Sequence, residues 1–337
     1  MRNYLLRLAL GLALIMLAIN LPLRAKAEDK LTIPLWDVEA ELLENGDLSI
    51  SEDITFDFND KFNGVFREVI LDGTSGISEI GVQEVLRNEL RNYQLVEDAS
   101  KGDSDVFLVK EKKDRVIIQI FAPSQEQERV FRIRYRIKNV ATRYNDTGEL
   151  YYKFLGKENE TPIDLFKVNI KLPPHNNESK IKVYAHGPLH GKISKKNNTY
   201  TLSVTDVPTD TFIEGRILFP TELIPLSENI KNIDSYNSIV AEEEAYRNKQ
   251  VEKQQRKEAG RSLMEKVSLL VSGLGALIFF VFFTLFRRDR EIYRPNDFAS
   301  IPADCTPAVA AKLTNTYISM NTIFATILDL YRKGYLV

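Results

Sequence analysis

An uncharged apolar run near the end of the chain constrains its fold more than any other feature of the sequence. Residues 267–286 read VSLLVSGLGALIFFVFFTLF, which is 20 residues without a charged side chain. A helix of that length rises about 30 Å, which matches the hydrocarbon thickness of a bilayer. The sequence therefore predicts one transmembrane helix over 267–286. The mean hydropathy of -0.23 for the whole chain argues against a transporter with many spans.

A second apolar stretch lies at the N-terminus and has the pattern of a secretory signal. Arg2 and Arg7 precede an uncharged segment, 8–23, which Ala25-Lys26-Ala27 follows. A basic start, an apolar centre and an A-x-A site are typical of a signal peptide, so we expect residues 1–27 to be removed. Because a lysine lies inside that site, an uncleaved signal anchor is the alternative. In either case the residues that follow are exported.

The charges that flank the membrane span disagree with this topology. Lys and Arg number seven in the 20 positions before residue 267 and four in the 20 positions after residue 286. Since cytoplasmic flanks are usually the more basic, this bias favours the opposite orientation. We give precedence to the signal, because it commits the chain to export before the second segment emerges. The prediction is a cell-membrane protein with residues 28–266 outside the cell and 287–337 in the cytoplasm.

Residues 28–237 alternate apolar and polar side chains over many short segments. Asn45-Gly46 lies between two alternating runs, 38–42 and 48–58, and this dipeptide is a strong hairpin signal. A helical period occurs only at 84–91. Short strands with frequent turns predict a mainly β chain whose exported part is an antiparallel β-sandwich. A second hairpin is predicted to pair 106–108 with 116–120 across residues 112–115, and the other predicted strands cover 130–140, 150–155, 166–172, 181–185, 200–204 and 212–219.

The predicted strand over 130–140 carries a basic row opposite an apolar face. One interpretation is an interaction face for a wall polymer or for lipid headgroups. The other, which we favour, is a solvated face whose charges pair with acidic neighbours across the sheet. Residues 28–237 contain 27 Lys and Arg against 36 Asp and Glu, which also argues against nucleic acid as a partner. The row consists of Arg132, Arg134, Arg136 and Lys138.

Recognisable motifs for catalysis, metal binding or cofactor binding are absent from the sequence. One cysteine rules out a cysteine-rich zinc site, and there are only three histidines. His186 and His190 form a spaced pair, but Gly187-Pro188 between them is incompatible with the helix that an H-E-x-x-H site needs. We therefore expect the protein not to be an enzyme and to hold neither a cofactor nor a metal ion.

The segment 238–266 is polar on every face and is predicted to be a helical stalk. Acidic residues 242–244 lie at its start and basic residues dominate its end, which complements the helix macrodipole. A helix of this length extends about 40 Å. We expect it to hold the exported domain away from the membrane.

The tail, 287–337, contains two further helical segments. Thr306-Pro307 is typical of a helix start, and a second helix is predicted over 321–333, ending at Gly334. A strand is predicted to begin at Tyr335. Two helices and a strand open a winged-helix-like unit, which is incomplete at Val337, so we expect the sequence to be a fragment of a longer protein.

Four sequence segments and the tail resemble one bacterial family. The segments are ENGDLSISEDITFDF (44–58), FNGVFREV (62–69), YRIKNVATRYNDTGELYYKFLG (135–156) and TPIDLFKVNIKLP (161–173). In this order they resemble the YciQ-like predicted membrane proteins, whose N-terminal part is domain of unknown function 2207. The resemblance singles out Gly64, Arg67 and Glu68 as motif residues, and it places Tyr152 where the family is expected to have Trp. It implies no catalytic residues.

Three functions are compatible with these observations. We favour a membrane-anchored binding or scaffold module whose partners are the lipid bilayer and an envelope protein or polymer. The alternative is a transmembrane sensor that couples the exported domain to a cytoplasmic module. A surface hydrolase that uses loop carboxylates such as Asp57 and Asp60 is the third. The sequence leaves the oligomeric state open.

Overall fold

Alternating apolar residues form sixteen strands in the computed structural model, which describes residues 29–87, 89–175, 178–286, 305–313 and 319–336. The predicted signal peptide, 1–27, and the basic cluster after the predicted membrane span lie outside these residues. The strands are β1 (Leu31–Leu42), β2 (Leu48–Phe58), β3 (Phe62–Ile70), β4 (Ile77–Val85), β5 (Leu90–Asn92), β6 (Gln94–Leu95), β7 (Val106–Glu111), β8 (Arg115–Ser124), β9 (Gln127–Ile137), β10 (Ala141–Arg143), β11 (Gly148–Leu155), β12 (Ile163–Lys171), β13 (Lys182–His186), β14 (Lys192–Lys196), β15 (Thr199–Val207) and β16 (Ile213–Phe219).

The strands form three sheets. The first sheet has eight strands in the order β14-β15-β12-β1-β2-β9-β4-β5. The second sheet has the order β10-β11-β16-β13, and the third has the order β3-β8-β7-β6. Neighbouring strands are antiparallel, as predicted, except for two parallel pairs, β1 with β12 and β6 with β7. The sequence did not indicate these two pairs, because the alternation of side chains is the same for both directions of pairing.

Both predicted hairpins are confirmed, and one helical expectation is wrong. β1 pairs with β2 around Asn45-Gly46, where Gly46 has a φ of +83°, and β7 pairs with β8. The helical period at 84–91 is instead the end of β4 and the start of β5. Glu84 is buried in β4, where an ion pair with Arg129 at 2.7 Å compensates its charge. The spacing of apolar residues along the sequence does not reveal this contact, because the two residues are far apart in the chain.

One hydrophobic core joins the three sheets. Every second residue of β2 is buried, from Leu48 to Phe58. Phe131 of the first sheet, Phe154 of the second and Ile118 of the third belong to the same cluster and are at most 1% exposed. Burial of each such side chain contributes about 1.5–3 kcal/mol to folding. The buried row of β2 contains a carboxylate, Glu52, and a buried charge is costly unless it is paired.

A long helix, α1 (Tyr236–Phe286), follows the strands. Ile239 and Glu243 in its first turns are each 5% exposed, so the helix starts within the compact unit that contains the strands, which we call the β unit. The helix is therefore not solvated on every face. This differs from the predicted division between a domain 28–237 and a stalk 238–266. The compact unit that contains the strands extends to Glu265, and residues from Lys266 onward belong to a second unit.

The second unit contains the apolar part of α1 and two short helices. Within the described residues, α1 is the one helix that is long and apolar enough to cross a membrane. The other helices are α2 (Pro307–Leu313) and α3 (Met320–Arg332), close to the predicted bounds. Gly334 follows α3 with a φ of +83°, as a helix-ending glycine does. The predicted strand is not formed at Tyr335 and Leu336, and Val337 lies outside the described residues.

Candidate binding cleft and helix junction

A buried ion pair between β2 and β3 holds the three sheets together. Arg67 is 4% exposed and Glu52 is 1% exposed. The guanidinium donates to both carboxylate oxygens of Glu52, from Nε to Oε2 at 2.8 Å and from Nη2 to Oε1 at 3.0 Å. Nη2 also donates to the carbonyl oxygen of Phe154 at 2.8 Å. Arg67 of the third sheet is thereby bonded to the first sheet through Glu52 and to the second through Phe154.

Aromatic side chains complete the surroundings of this pair. Trp36 Nε1 donates to Glu52 Oε2 at 2.8 Å, and the Tyr135 hydroxyl donates to Glu52 Oε1. The Arg67 guanidinium lies over the Trp36 ring, 4.8 Å from its centroid. Burial, followed by the charge of Glu52, raises the pKa of Tyr135 well above its ordinary value, so this hydroxyl stays a donor. Both charges of the pair are therefore fully hydrogen-bonded inside the core.

The other two residues of the FNGVFREV motif also have identifiable structural roles. Gly64 has a φ of +150°, and a Cβ atom there would lie 1.9 Å from the carbonyl oxygen of Ile120 on β8. Glu68 accepts a hydrogen bond from Arg115 Nη1 at 3.0 Å, and Arg115 also pairs with Glu158 at 2.9 Å. Gly64, Arg67 and Glu68 thus fix the position of β3 in the fold. The resemblance pointed to these residues, but only the long-range contacts explain them.

A cleft of about 360 Å³ lies beside β3. Its lining comes from the start of β1, from β3 and from the segment 155–162 that connects β11 to β12. Trp36 and Phe56 are buried residues at its apolar base, whereas Phe66 is 58% exposed. The cleft therefore offers an apolar surface and an accessible aromatic ring, and Arg67 of the buried ion pair is part of its lining.

A second charged cluster lies where α1 meets the second sheet, around a cavity of about 230 Å³. Glu243 of α1 bonds His186 Nε2 through Oε2 at 2.8 Å and accepts from Arg216 Nη1 through Oε1 at 2.7 Å. His186 Nδ1 lies 3.4 Å from Glu214, and Arg216 Nε donates to Glu149 at 2.6 Å. We name this cluster the helix junction: it comprises Glu149, His186, Glu214, Arg216 and Glu243.

The helix junction changes the protonation equilibria of its members. Burial is the strongest influence and acts to lower the pKa of His186, but hydrogen bonds to Glu214 and Glu243 outweigh it and raise that pKa above its ordinary value. Burial acts to raise the pKa of Glu214, but His186, Tyr151 and Lys153 together hold it below the ordinary value. The arrangement therefore favours a protonated His186 between two carboxylates.

The two histidines of the predicted pair have separate surroundings. His190 is exposed and its Nε2 contacts the carbonyl oxygen of Thr205 at 2.6 Å, whereas His186 belongs to the helix junction. Within the described residues, no group of three or more His, Cys, Asp and Glu side chains is arranged to hold a metal ion.

The basic row, which covers β9 and Lys138 directly after it, is divided between paired and exposed side chains. Arg132 makes two hydrogen bonds with Asp53 on β2, at 2.7 and 2.6 Å, and Arg136 pairs with Glu79 on β4 at 3.1 Å. Arg134 and Lys138 are exposed. Pairing with acidic neighbours thus accounts for two of the four residues, and the interaction face stays a prediction.

The predicted carboxylate pair lies at the end of β2: Asp57 is a residue of that strand, whereas Asp60 lies between β2 and β3. Asp60 accepts a hydrogen bond from the backbone N–H of Lys61 at 2.7 Å and forms an ion pair with Lys30 at 3.0 Å, and both contacts lower its pKa. Both the cleft and the helix junction went unpredicted. One feature of the sequence could have indicated the buried ion pair: Glu52 lies in phase with the apolar row of β2.

Comparison with solved structures finds partial likeness. An M1 zinc metallopeptidase from Deinococcus radiodurans is 11% identical, with 56% of this chain and 42% of that chain covered and a TM-score of 0.30. Yeast LTA4 hydrolase is 13% identical, with 59% and 32% covered and a TM-score of 0.33. The chain spans less than half of each of these structures, and we draw no functional conclusion from likeness at this level. No curated protein matches the chain.

A family comparison, in contrast, covers most of the β unit. The family described as "Predicted membrane protein (DUF2207) N-terminal domain" matches residues 32–219, from β1 to the end of β16. This range contains the Arg67–Glu52 pair and the strands that line the cleft. More than half of the chain lies within the match, which confirms the resemblance seen in the sequence. The chain therefore belongs to the DUF2207 family of predicted membrane proteins.

Proposed function

We propose that this protein is a membrane-anchored binding module whose β unit holds a partner outside the cell in the cleft beside β3. The observation that carries this proposal is the exposed Phe66 at the wall of an apolar cleft of about 360 Å³. Binding sites are typically concave, largely apolar and preformed. A solvent-exposed aromatic ring beside such a cleft provides a large contact area for a partner.

The framework around the cleft supports the same proposal. Arg67 and Gly64 hold β3 through contacts with all three sheets, so the cleft wall has little freedom to collapse. A preformed site loses less free energy to ordering when a partner binds. The exported orientation stays part of the proposal and rests on the N-terminal signal pattern.

The single tryptophan of the chain provides a direct test. Trp36 lines the cleft, so its fluorescence reports whether the cleft is occupied. We expect a titration of the full chain in nanodiscs with peptides, soluble wall polymer and lysolipid to find at least one class that changes this fluorescence. Phe66→Ala is expected to weaken that response at least tenfold. Leu95→Ala is the matched control, because Leu95 is 57% exposed on the same sheet but does not line the cleft.

A sensor is the second candidate, and the helix junction favours it. Glu243 in the first turns of α1 bonds both His186 and Arg216 of the second sheet. A partner that displaced the second sheet would therefore change the start of the helix that continues into the apolar span. Hydrogen exchange of residues 236–250, measured with and without a cleft ligand, distinguishes the candidates. A sensor requires a change in exchange there, whereas a simple binding module does not.

A further inference from the structure

We infer that the cleft takes an extended peptide, with alternating apolar and basic residues, as an added strand on the outer edge of β3. This inference rests on the proposed function of the cleft as a binding site. Three observations lead to it: the position of β3 in its sheet, the way β3 lines the cleft, and the charge around the cleft.

The first observation is that β3 is an edge strand. It pairs with β8 on one side and ends the third sheet on the other. Towards residue 70 this outer edge is covered, because the Tyr152 hydroxyl donates to the carbonyl oxygen of Ile70 at 3.0 Å. Among the described residues, no hydrogen bond from outside the third sheet reaches the backbone of 63–66. About 13 Å of strand edge, at about 3.3 Å per residue, is thus open to a partner.

The second observation is the pattern of contact between β3 and the cleft. Successive side chains of a strand point to opposite faces of its sheet. Residues 64–68 nevertheless all line the cleft without a gap. A cleft that ran across one face would contact every second residue, so this one runs along the edge. Trp36 and Phe56, buried aromatic residues in its lining, form an apolar surface that alternate side chains of an added strand would cover.

The third observation is an excess of carboxylates at the cleft. The carboxylates in its lining are Asp29, Glu68, Glu158 and Glu160, and Lys30 is the one exposed basic residue there. Arg115 neutralises part of this charge, since it pairs with both Glu68 and Glu158. Within the described residues, no ion pair involves Asp29 or Glu160, and both are exposed. Lysine or arginine side chains on the peptide would supply the missing positive charge, whereas an anionic lipid or polymer would be repelled.

The test uses the full chain in nanodiscs of zwitterionic lipid and two heptapeptides, VKVKVKV and VEVEVEV. Binding is followed by Trp36 fluorescence and by calorimetry. We expect the lysine peptide to bind at least tenfold more tightly than the glutamate peptide, with a preference that falls as salt is added. The variant Asp29→Asn/Glu160→Gln is expected to reduce this preference several-fold. Equal affinity of the two peptides would overturn the charge part of the inference.

Backbone methylation tests strand addition separately from charge. Only every second N–H of an added strand points towards β3. Two N-methylated versions of the lysine peptide, one modified at the odd and one at the even internal positions, keep the same side chains. We expect one version to lose binding at least tenfold and the other to retain it. Equal effects of the two modifications would overturn edge addition.

The same assay distinguishes failure of this inference from failure of the proposed function. If no peptide binds but lysolipid or wall polymer produces a fluorescence change that Phe66→Ala abolishes, the cleft is a binding site and the peptide inference is wrong. If none of the ligands changes Trp36 fluorescence or gives a heat of binding, both are wrong.

Discussion

A single buried arginine, Arg67, connects the three sheets through side-chain and backbone acceptors. Its charge is tolerated in the core because Glu52, two carbonyl oxygens and the Trp36 ring surround it. Removal of one member of a buried ion pair leaves the other charge without compensation, which typically costs about 3–5 kcal/mol. The stability of the β unit therefore depends on both members of the pair rather than on either one alone.

We expect Arg67→Met to lower the free energy of unfolding by about 3–5 kcal/mol, because Glu52 then stays buried without a counter-ion. The double variant Glu52→Gln/Arg67→Met removes both charges and keeps an acceptor for the Trp36 and Tyr135 donors. It should lose less stability than Arg67→Met alone. Urea unfolding followed by Trp36 fluorescence measures both variants, and a double variant less stable than the single one would contradict this account.

A second residue-scale prediction concerns Gly64. Alanine there would combine a φ of +150° with a Cβ atom 1.9 Å from a carbonyl oxygen of β8. We expect Gly64→Ala to destabilise the β unit by about 2–3 kcal/mol, from backbone strain and overpacking together. Gly81→Ala is the control, because no heavy atom lies within 4 Å of a Cβ built at Gly81. Equal unfolding midpoints for the two variants would show that β3 can move away from β8 without cost.

At the scale of elements, the start of α1 is held by charges rather than by apolar contacts alone. His186 is flanked by Glu214 and Glu243, with Tyr246 at 4.4 Å and Tyr151 at 5.9 Å between ring centroids, and Arg216 shares Glu243. Because its pKa is raised in the folded state, protonated His186 stabilises the junction fully at a pH below its unfolded pKa of about 6.5. That contribution is lost as the pH rises through the folded pKa.

Docking of the first turns of α1 should therefore weaken as the pH rises above neutrality. Glu214 acts in the opposite direction: its pKa is lowered, so its contribution is present above its ordinary pKa and is lost on acidification. Hydrogen exchange of residues 236–246 between pH 5 and 9 measures the effect. His186→Gln should flatten the pH profile, whereas His190→Gln should leave it unchanged. A profile that is flat in the unmodified protein would exclude this role for His186.

Most elements of the fold could be predicted from the sequence, but the contacts between them could not. The period of two located both hairpins and the strand that carries Arg132, and the apolar run located the helix that is long and apolar enough to cross a membrane. Six strands were missed: β3, β4 and β14, and the short strands β5, β6 and β10 of two or three residues each. Gly64 and Gly81 interrupt the alternation of β3 and β4, and β14 is exposed along its whole length. The cleft and the helix junction depend on residues far apart in sequence, such as His186 and Glu243, which no local pattern relates.

At the scale of the whole molecule, orientation in the membrane is the main prediction that awaits a test. The chain contains one cysteine, Cys305, which lies on the C-terminal side of the apolar span. In intact spheroplasts, a membrane-impermeant maleimide should label Cys305 only after permeabilisation. The variant Lys101→Cys/Cys305→Ser, with its cysteine at an exposed position of the β unit, should be labelled without permeabilisation. The reverse pattern would establish the orientation that the flanking charges favour.

The parallel pairing of β1 with β12 has a consequence for the order in which the protein forms. The pair lies at the centre of the first sheet and brings together residues 130 positions apart, as between Asp37 and Lys167. Contacts between such distant residues form slowly, because a long loop must close before they contribute. When only β1 and β2 of the nascent chain have emerged from the ribosome, they can form a hairpin but cannot complete the sheet. Until β12 emerges, one side of β1 stays unpaired, and this interval is when the newly made chain is most open to chaperones and to aggregation.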